Sequence, residues 1–384
     1  MDAFADVRFN SAVYSEGGLT EVINQAGGQL IATSTEGAGV RFYTYGGSSI
    51  TNGGEITALQ WWGVDMAGVA SGAAQTVINR GVISGGTGAL LGSSIVDEVT
   101  NQGVMDGDVS LGAGADIFDG RGGVVNGMVS GGEGDDTYIV DDASLALVEN
   151  TGEGTDEVQS EVDWTLGDHF ETLTLLGGAD IDGIGNDLDN GITGNGGDNR
   201  LEGRAGEDGI SGGAGDDMIL GGANSDKLWG GEGDDVLRGG AGADRLRGDE
   251  GDDRLVGNRG AGRLFGGDGD DTLLGGTGAD QLTGNDGADV FLFLRAAHST
   301  NSAASDRITD FVQGEDLVDL SQLVQGQIVF LGAGGFTGSG QAELRAIDTG
   351  GDTRLRIDLD GDGNSDMRID LTGVVDMTSA DFLL

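Results

Sequence analysis

Cysteine and proline are both absent from this chain of 384 residues. Without cysteine there is no disulfide framework, so an extracellular protein of this kind needs another source of stability, such as bound metal. The absence of proline suits a chain made almost entirely of short parallel strands, because proline would deny donors to continuous ladders. Basic residues are scarce: 19 Lys and Arg stand against 66 Asp and Glu, a formal charge of −47. That balance argues against nucleic acid or an anionic membrane as direct partner and calls for cations. No stretch approaches the ~18 consecutive apolar residues that mark a membrane span. The opening residues, MDAFADVRFN, lack the basic start and apolar run of a cleaved signal peptide, which argues against a Sec-type route. The only histidines are His169 and His298, and no H-E-x-x-H exists, so zinc-protease chemistry has no donors.

Glycine is what the chain has in abundance, 79 residues of it. From Gly185 to Leu292 the sequence divides without insertion into twelve nine-residue units, among them GGAGDDMIL, GGEGDDVLR and GGDGDDTLL. They fit G-G-x-G-x-D-x-U-x, where U is apolar, a spelling known as a calcium-binding nonapeptide. Position eight is apolar in every unit, from Ile192 and Leu201 through to Leu282 and Phe291. A residue so placed faces a core, and its mostly polar neighbours give the alternation of a very short strand. The first six residues are then a turn in which glycines leave the backbone unshielded and the carboxylate at position six reaches a cation. One buried side chain per unit returns less than the entropy of ordering nine residues, so ion binding is expected to supply much of the folding free energy.

Two units complete one turn of a parallel roll in this reading, which stacks position six into two columns. One column holds Asn190, Asp208, Asp226, Asp244, Gly262 and Asp280; the other holds Asn199, Asp217, Asp235, Asp253, Asp271 and Asp289. Gly262 removes a carboxylate, and Arg259 and Arg263 add positive charge nearby, so a missing or weakened ion is expected there. The two asparagines suggest a cap of lower affinity. Isolated units at Leu111 to Asp119 and Gly131 to Ile139 put Asp116 and Asp136 at position six. If roughly ten divalent ions bound, about 20 negative charges would be neutralised; before that, self-repulsion keeps the chain expanded.

The repeat block resembles the repeats-in-toxin family, calcium-binding secreted proteins of Gram-negative bacteria. The stretch ASDRITDFVQGEDLVDLS, continuing through FTGSGQAEL and RLRIDLDGDGNSDMRIDL, resembles the carboxy-terminal cap of serralysin-type proteases. The final Asp381-Phe382-Leu383-Leu384 looks like the uncleaved signal read by type I secretion machinery. The resemblance implies an extracellular or cell-surface protein that binds several calcium ions. Within the cap, Asp358, Asp360, Asp362 and Asp366 stand at positions one, three, five and nine of a calcium loop, but Ile369 replaces the glutamate at twelve. An ion site and a plain polar hairpin turn both fit that loop.

Upstream, VINQAGGQL, ITNGGEI, VINRGVI and VTNQGVM recur at coil-sized intervals, with Asn24, Asn52, Asn79 and Asn101 at their turns. Stacked asparagine amides can satisfy one another along a ladder, and the segment resembles the β-helical coils of autotransporter passengers and adhesins. Aromatics gather at Phe42, Tyr43, Tyr45, Trp61 and Trp62; core or end-cap packing is preferred over a carbohydrate platform. Asp141, Asp142, Glu149, Glu153 and Asp156 read as a solvated acidic face. His169 reads as structural and His298 as an exposed cap position.

The fold expected is all-β: a parallel β-solenoid with a short N-terminal β-helix continuing into a calcium-binding β-roll, closed by a C-terminal β cap. Its parts are a degenerate β-helix over 1–110, a divergent connecting segment over 111–184, the roll over 185–292 and the cap with secretion signal over 293–384. Gly209-Ile210-Ser211-Gly212-Gly213 spells a nucleophile elbow, but inside the repeat no strand-to-helix turn is available. The function expected is a non-enzymatic surface, matrix or adhesion protein that binds cell-surface polysaccharide or assembles with itself. The alternative is a polysaccharide-modifying enzyme of lyase or epimerase type with a reduced β-helix.

Overall fold

The computed structural model describes residues 7–9, 13–16, 21–32, 39–43, 47–301, 305–374 and 376–384. Most of the opening MDAFADVRFN, Tyr45 and the side chains of Phe42 and Tyr43 lie outside the described residues. The chain forms two compact units, Met1–Leu176 and Gly177–Leu384. Apart from two single-turn 3-10 segments, Ala296–His298 and Ser379–Asp381, the regular structure described is all strand. No helix among the described residues is long and apolar enough to cross a membrane.

In the first unit the coils up to Glu133 each give one strand to each of three parallel sheets. A representative coil is Ser49–Asn52, Glu55–Ala58 and Trp62–Asp65, and the next is Gln75–Asn79, Val82–Gly85 and Gly88–Ser93. Register between them is fixed by Ile50 against Val77, Ile56 against Ile83 and Val64 against Leu90. All six side chains are fully buried, since alternate residues of each short strand point inward. Where the strand turns, the asparagines form the ladder their spacing suggests: Asn24 donates to Asn52 at 2.8 Å, Asn52 to Asn79 at 2.9 Å and Asn79 to Asn101 at 2.8 Å. A second amide hydrogen of each goes to a carbonyl of the following turn, so the buried amides leave no donor orphaned.

The second unit is a roll of two parallel sheets, one strand per nonapeptide. Ile192, Ile210, Leu228, Leu246, Leu264 and Leu282 stack in one sheet, and Leu201, Ile219, Leu237, Leu255, Leu273 and Phe291 in the other. These position-eight residues are buried without exception and form the core between the sheets. Asp306–Ile308 and Leu317–Asp319 add a parallel strand to each sheet after the repeats stop. The first sheet then changes sense: Glu343–Asp348, Thr353–Asp358 and Met367–Leu371 form an antiparallel meander that closes the end. The terminal Phe382–Leu383 pairs with Leu317–Asp319 and closes the second sheet, with the Phe382 and Phe330 rings 5.2 Å apart.

Candidate metal sites

Position six directly precedes each short strand of the roll, at the point where the turn feeds the core. Its side chain is held there by the neighbouring coil. In the first column Oδ1 of Asp208, Asp226 and Asp244 accepts the backbone N–H of Asn190, Asp208 and Asp226 at 2.8–3.0 Å. The second column runs unbroken from Asn199 to Asp289, each N–H donating to the aspartate 18 residues on at 2.7–3.0 Å. The 18-residue step is the two-unit turn expected from the sequence.

The other oxygen is left without a partner. Oδ2 of Asp208, Asp217, Asp226, Asp235, Asp244, Asp253, Asp271, Asp280 and Asp289 is buried and accepts no hydrogen bond among the described residues. A glycine makes room for it. A Cβ on Gly203, Gly212, Gly221, Gly230, Gly239, Gly248, Gly266 or Gly284, the first residue of each unit, would overlap the Oδ2 of its own unit's aspartate. Burial pushes these carboxyls up, to about 6 for Asp208 and Asp217, about 7 for Asp226, Asp235 and Asp271, and about 8 for Asp253. Charged acids in such a column repel one another and lack counterions, so the site fits a hard, oxygen-seeking cation such as calcium. Orphaned carboxylate oxygens in a cradle of glycines are the donor set that such an ion requires.

Residues 184–384 match the family described as peptidase M10 serralysin C terminal, over more than half of the chain. The chain belongs to this repeats-in-toxin (RTX) family. That family is a carboxy-terminal repeat domain and not a catalytic one. Two solved repeat subunits of the Azotobacter vinelandii mannuronan C5-epimerase are similar to the RTX chain. One is 29% identical with TM-score 0.29, covering 42% of this chain and 80% of its own. The other is 28% identical with TM-score 0.21, covering 40% and 90%. The extracellular lipase LipA of Serratia marcescens is 16% identical with TM-score 0.19; the match covers 60% of the RTX chain and 45% of the lipase. No curated protein matched.

The columns have irregular members. Asn190 and Asn199 occupy position six, but their Oδ1 atoms already accept Asn186 N–H at 2.8 Å and Asn195 N–H at 2.9 Å. At Gly262 the carboxylate is absent, and the Leu264 Cδ1 methyl lies 3.3 Å from where a Cβ on Gly257 or Gly262 would stand. Asp306 extends the first column with Oδ2 buried and unpartnered, accepting Asp280 N–H at 3.0 Å through Oδ1. It belongs to no nonapeptide, although its spelling Asp306-Arg307-Ile308 keeps the aspartate two residues before a core side chain. Asp316 ends the second column with both oxygens used, by Asp289 and Val312 N–H.

Asp116 and Asp136 in the first unit repeat the roll geometry, each with a buried, unpartnered Oδ2. In the cap, donor atoms of Asp358, Asp360 and Asp366 lie within 4.8 Å of one another, whereas Asp362 stands outside that group. Position twelve, Ile369, is fully buried in its strand, so the loop is also a hairpin turn between antiparallel strands. Asp370 is held by Arg354 and Arg368.

Three expectations need correction. Glu149 and Asp156 are buried and Glu153 is half-buried, which leaves the solvated acidic face to Asp141 and Asp142. His298 is buried at the cap with its basicity lowered by burial and by Arg295, and is no exposed position. Trp61 is exposed in the bend before strand Trp62–Asp65 and so does not pack in the core, while Trp62 is half-buried with its ring over Gly88. Ser211 lies in the strand Gly209–Ala214 beside buried Ile210, in no elbow.

Proposed function

We propose that the chain is a secreted RTX protein that folds on calcium outside the cell and acts there without catalysis, as a surface, matrix or adhesion component. One observation carries this reading: the buried carboxylate oxygens without partners that recur in every coil of the roll outside Gly262 and the two asparagines. Such a stack is unfavourable until cations bind, so low calcium inside a cell keeps the chain expanded and exportable and calcium outside drives it to fold. Asp208, Asp217, Asp226, Asp235, Asp244, Asp253, Asp271, Asp280 and Asp289 hold the ions of the roll, with Asp116 and Asp136 as further ligands. The loop of Asp358, Asp360 and Asp366 is a weaker candidate because it lacks a bidentate ligand at twelve. The carboxy-terminal Asp381-Phe382-Leu383-Leu384 is the segment read by a type I exporter of a Gram-negative cell. The coils of the first unit supply the face that meets polysaccharide or a second copy.

Calcium titration of the purified chain, followed by circular dichroism and sedimentation, tests the proposal. Cooperative gain of strand signal, shifted to higher calcium in an Asp217→Ala, Asp235→Ala double variant, supports it. A chain fully folded in chelator, with the same size before and after calcium, overturns it.

A second reading, a polysaccharide-modifying enzyme, draws on the exposed Trp61 ring and on Asp65, four residues on in sequence. Asp65 is buried and already engaged by Arg41 at 2.6 Å. Turnover of a uronate polymer that is lost in Asp65→Asn would favour this reading.

A further inference from the structure

The last coils of the first unit bring three acids together: Asp136, at position six of its nonapeptide, and Glu149 and Asp156 from the stretch that follows it. Ligand oxygens of Asp136, Glu149 and Asp156 all lie within 4.8 Å of one another, and all three residues are buried. The cause is a change at one position. Strand Met128–Glu133 pairs with Ala146–Leu147 so that Val129 faces Leu147, which sets Gly131 beside Glu149. Gly131 is the first-position glycine of its unit, where a Cβ would overlap Asp136 Oδ2. In the next coil the glycine is replaced by glutamate, and its carboxylate swings into the cradle. Glu149 Oε1 accepts Gly131 N–H at 2.9 Å and Oε2 accepts Gly132 N–H at 3.3 Å. The Tyr138 hydroxyl also donates to Glu149, and its ring is fully buried against the edge of Phe170 at 5.6 Å. Asp156 Oδ1 accepts Asp136 N–H at 2.9 Å, while Asp136 Oδ2 has no hydrogen-bond partner among the described residues.

Among the described residues none of the three carboxylates has a basic partner; Arg121, on the same unit, is engaged by Asp119 and Glu161. We propose that Asp136, Glu149 and Asp156 form a cation site of a second type, in which a side-chain carboxylate takes the place of a first-position glycine. Oxygen-only donors without histidine or cysteine select a hard ion of the calcium class. Three carboxylates on one ion exceed what a roll position offers, so this site fills first and ties the 149–156 loop to the coil beneath it. The site deepens the calcium reading at Asp136, but its donors lie outside the roll, so it survives failure of the roll to take calcium.

The full-length chain, stripped of metal, is titrated with terbium and with calcium. Terbium emission excited through Tyr138 is expected to rise with the first equivalent, and Tyr138→Phe to lose most of it while binding the same number of ions. Glu149→Gln is expected to weaken the first calcium step about tenfold or more, with strand signal retained, whereas the Asp217→Ala, Asp235→Ala chain keeps that step. An unchanged first step in Glu149→Gln, unchanged early emission in Tyr138→Phe, or loss of the first step in the roll variant would each overturn the site. The terbium readout on Tyr138→Phe stands even if Glu149→Gln fails to fold.

Discussion

Where a nonapeptide opens with paired glycines, the two serve different needs. Gly231 has φ +126 and lies against the Gly213 carbonyl, so backbone conformation and space both require glycine there. Gly230 has an ordinary φ, and its need is room alone: a Cβ would overlap Asp235 Oδ2 and stand 2.6 Å from the Gly248 carbonyl. Gly230→Ala is therefore expected to weaken calcium binding and to destabilise the calcium-bound chain by about 1–3 kcal/mol, as overpacking does. Gly209→Ala is the control, since nothing lies within 4 Å of its Cβ. Thermal melts of both variants in saturating calcium compare them directly, and equal midpoints would remove the steric account. At this scale Asp208 to Asp289 are readable from the nonapeptide spelling. Glu149 is not, because its unit carries two extra residues and only strand register reveals that it stands where a glycine should.

Strands in both units are too short to be stable alone, and each is held by a column of side chains that repeats with the coil. In the first unit that column is the asparagine ladder. Asn52 both accepts from Asn24 and donates to Asn79, so Asn52→Ala removes one hydrogen bond from each of two buried amides and is expected to cost about 1–3 kcal/mol. Chemical denaturation followed by strand circular dichroism measures it; a change below half a kcal/mol, roughly the size of a surface substitution, would mean the ladder is incidental. In the roll the column is the aspartates, and its gap at Gly262 is filled by a leucine methyl. Gly262→Asp is expected to add one bound calcium by equilibrium dialysis once Leu264 rotates away. An unchanged ion count would show that the methyl closes the position. Four asparagines at coil-sized spacing and twelve apolar residues in register made both columns legible in the sequence. Exposed position-five aspartates form another ladder, Asp216 N–H to Asp198 and on to Asp270, which the spelling left unmarked because that position also takes Ala, Ser and Glu.

Across the whole molecule the governing quantity is negative charge that has been buried. Asp208 through Asp289 titrate at raised values, about 6 to 8 where they are resolved, because burial disfavours their charged form. An acid whose folded value is raised keeps its proton in the fold and loses it when unfolded. The metal-free fold is accordingly most favoured below about pH 4, and its stability falls as pH rises from there toward 8. Calcium reverses the trend, because the ion needs the deprotonated acid, so its affinity drops as pH falls through about 7. Melting in chelator should give a higher midpoint at pH 5 than at pH 8, with the gain from calcium larger at pH 8. The reverse order would mean that the carboxylates are stabilised in the fold without metal.

By itself the sequence determined the period, the core face and the chemistry of the columns. Those follow from local rules: one apolar residue per nine faces inward, and glycine and aspartate occupy fixed places in the turn between. The tertiary structure alone decided what residues far apart in the chain do to one another. Asp306 joins the first column because its strand pairs beside Gln281–Asp286, and Asp136, Glu149 and Asp156 converge because parallel pairing carries Glu149 into a neighbour's cradle. His298 and Asp156, which the sequence left on the surface, are buried in the fold. Spelling fixes which way a side chain points along its own strand, but only the stacking of coils fixes which other side chains it meets.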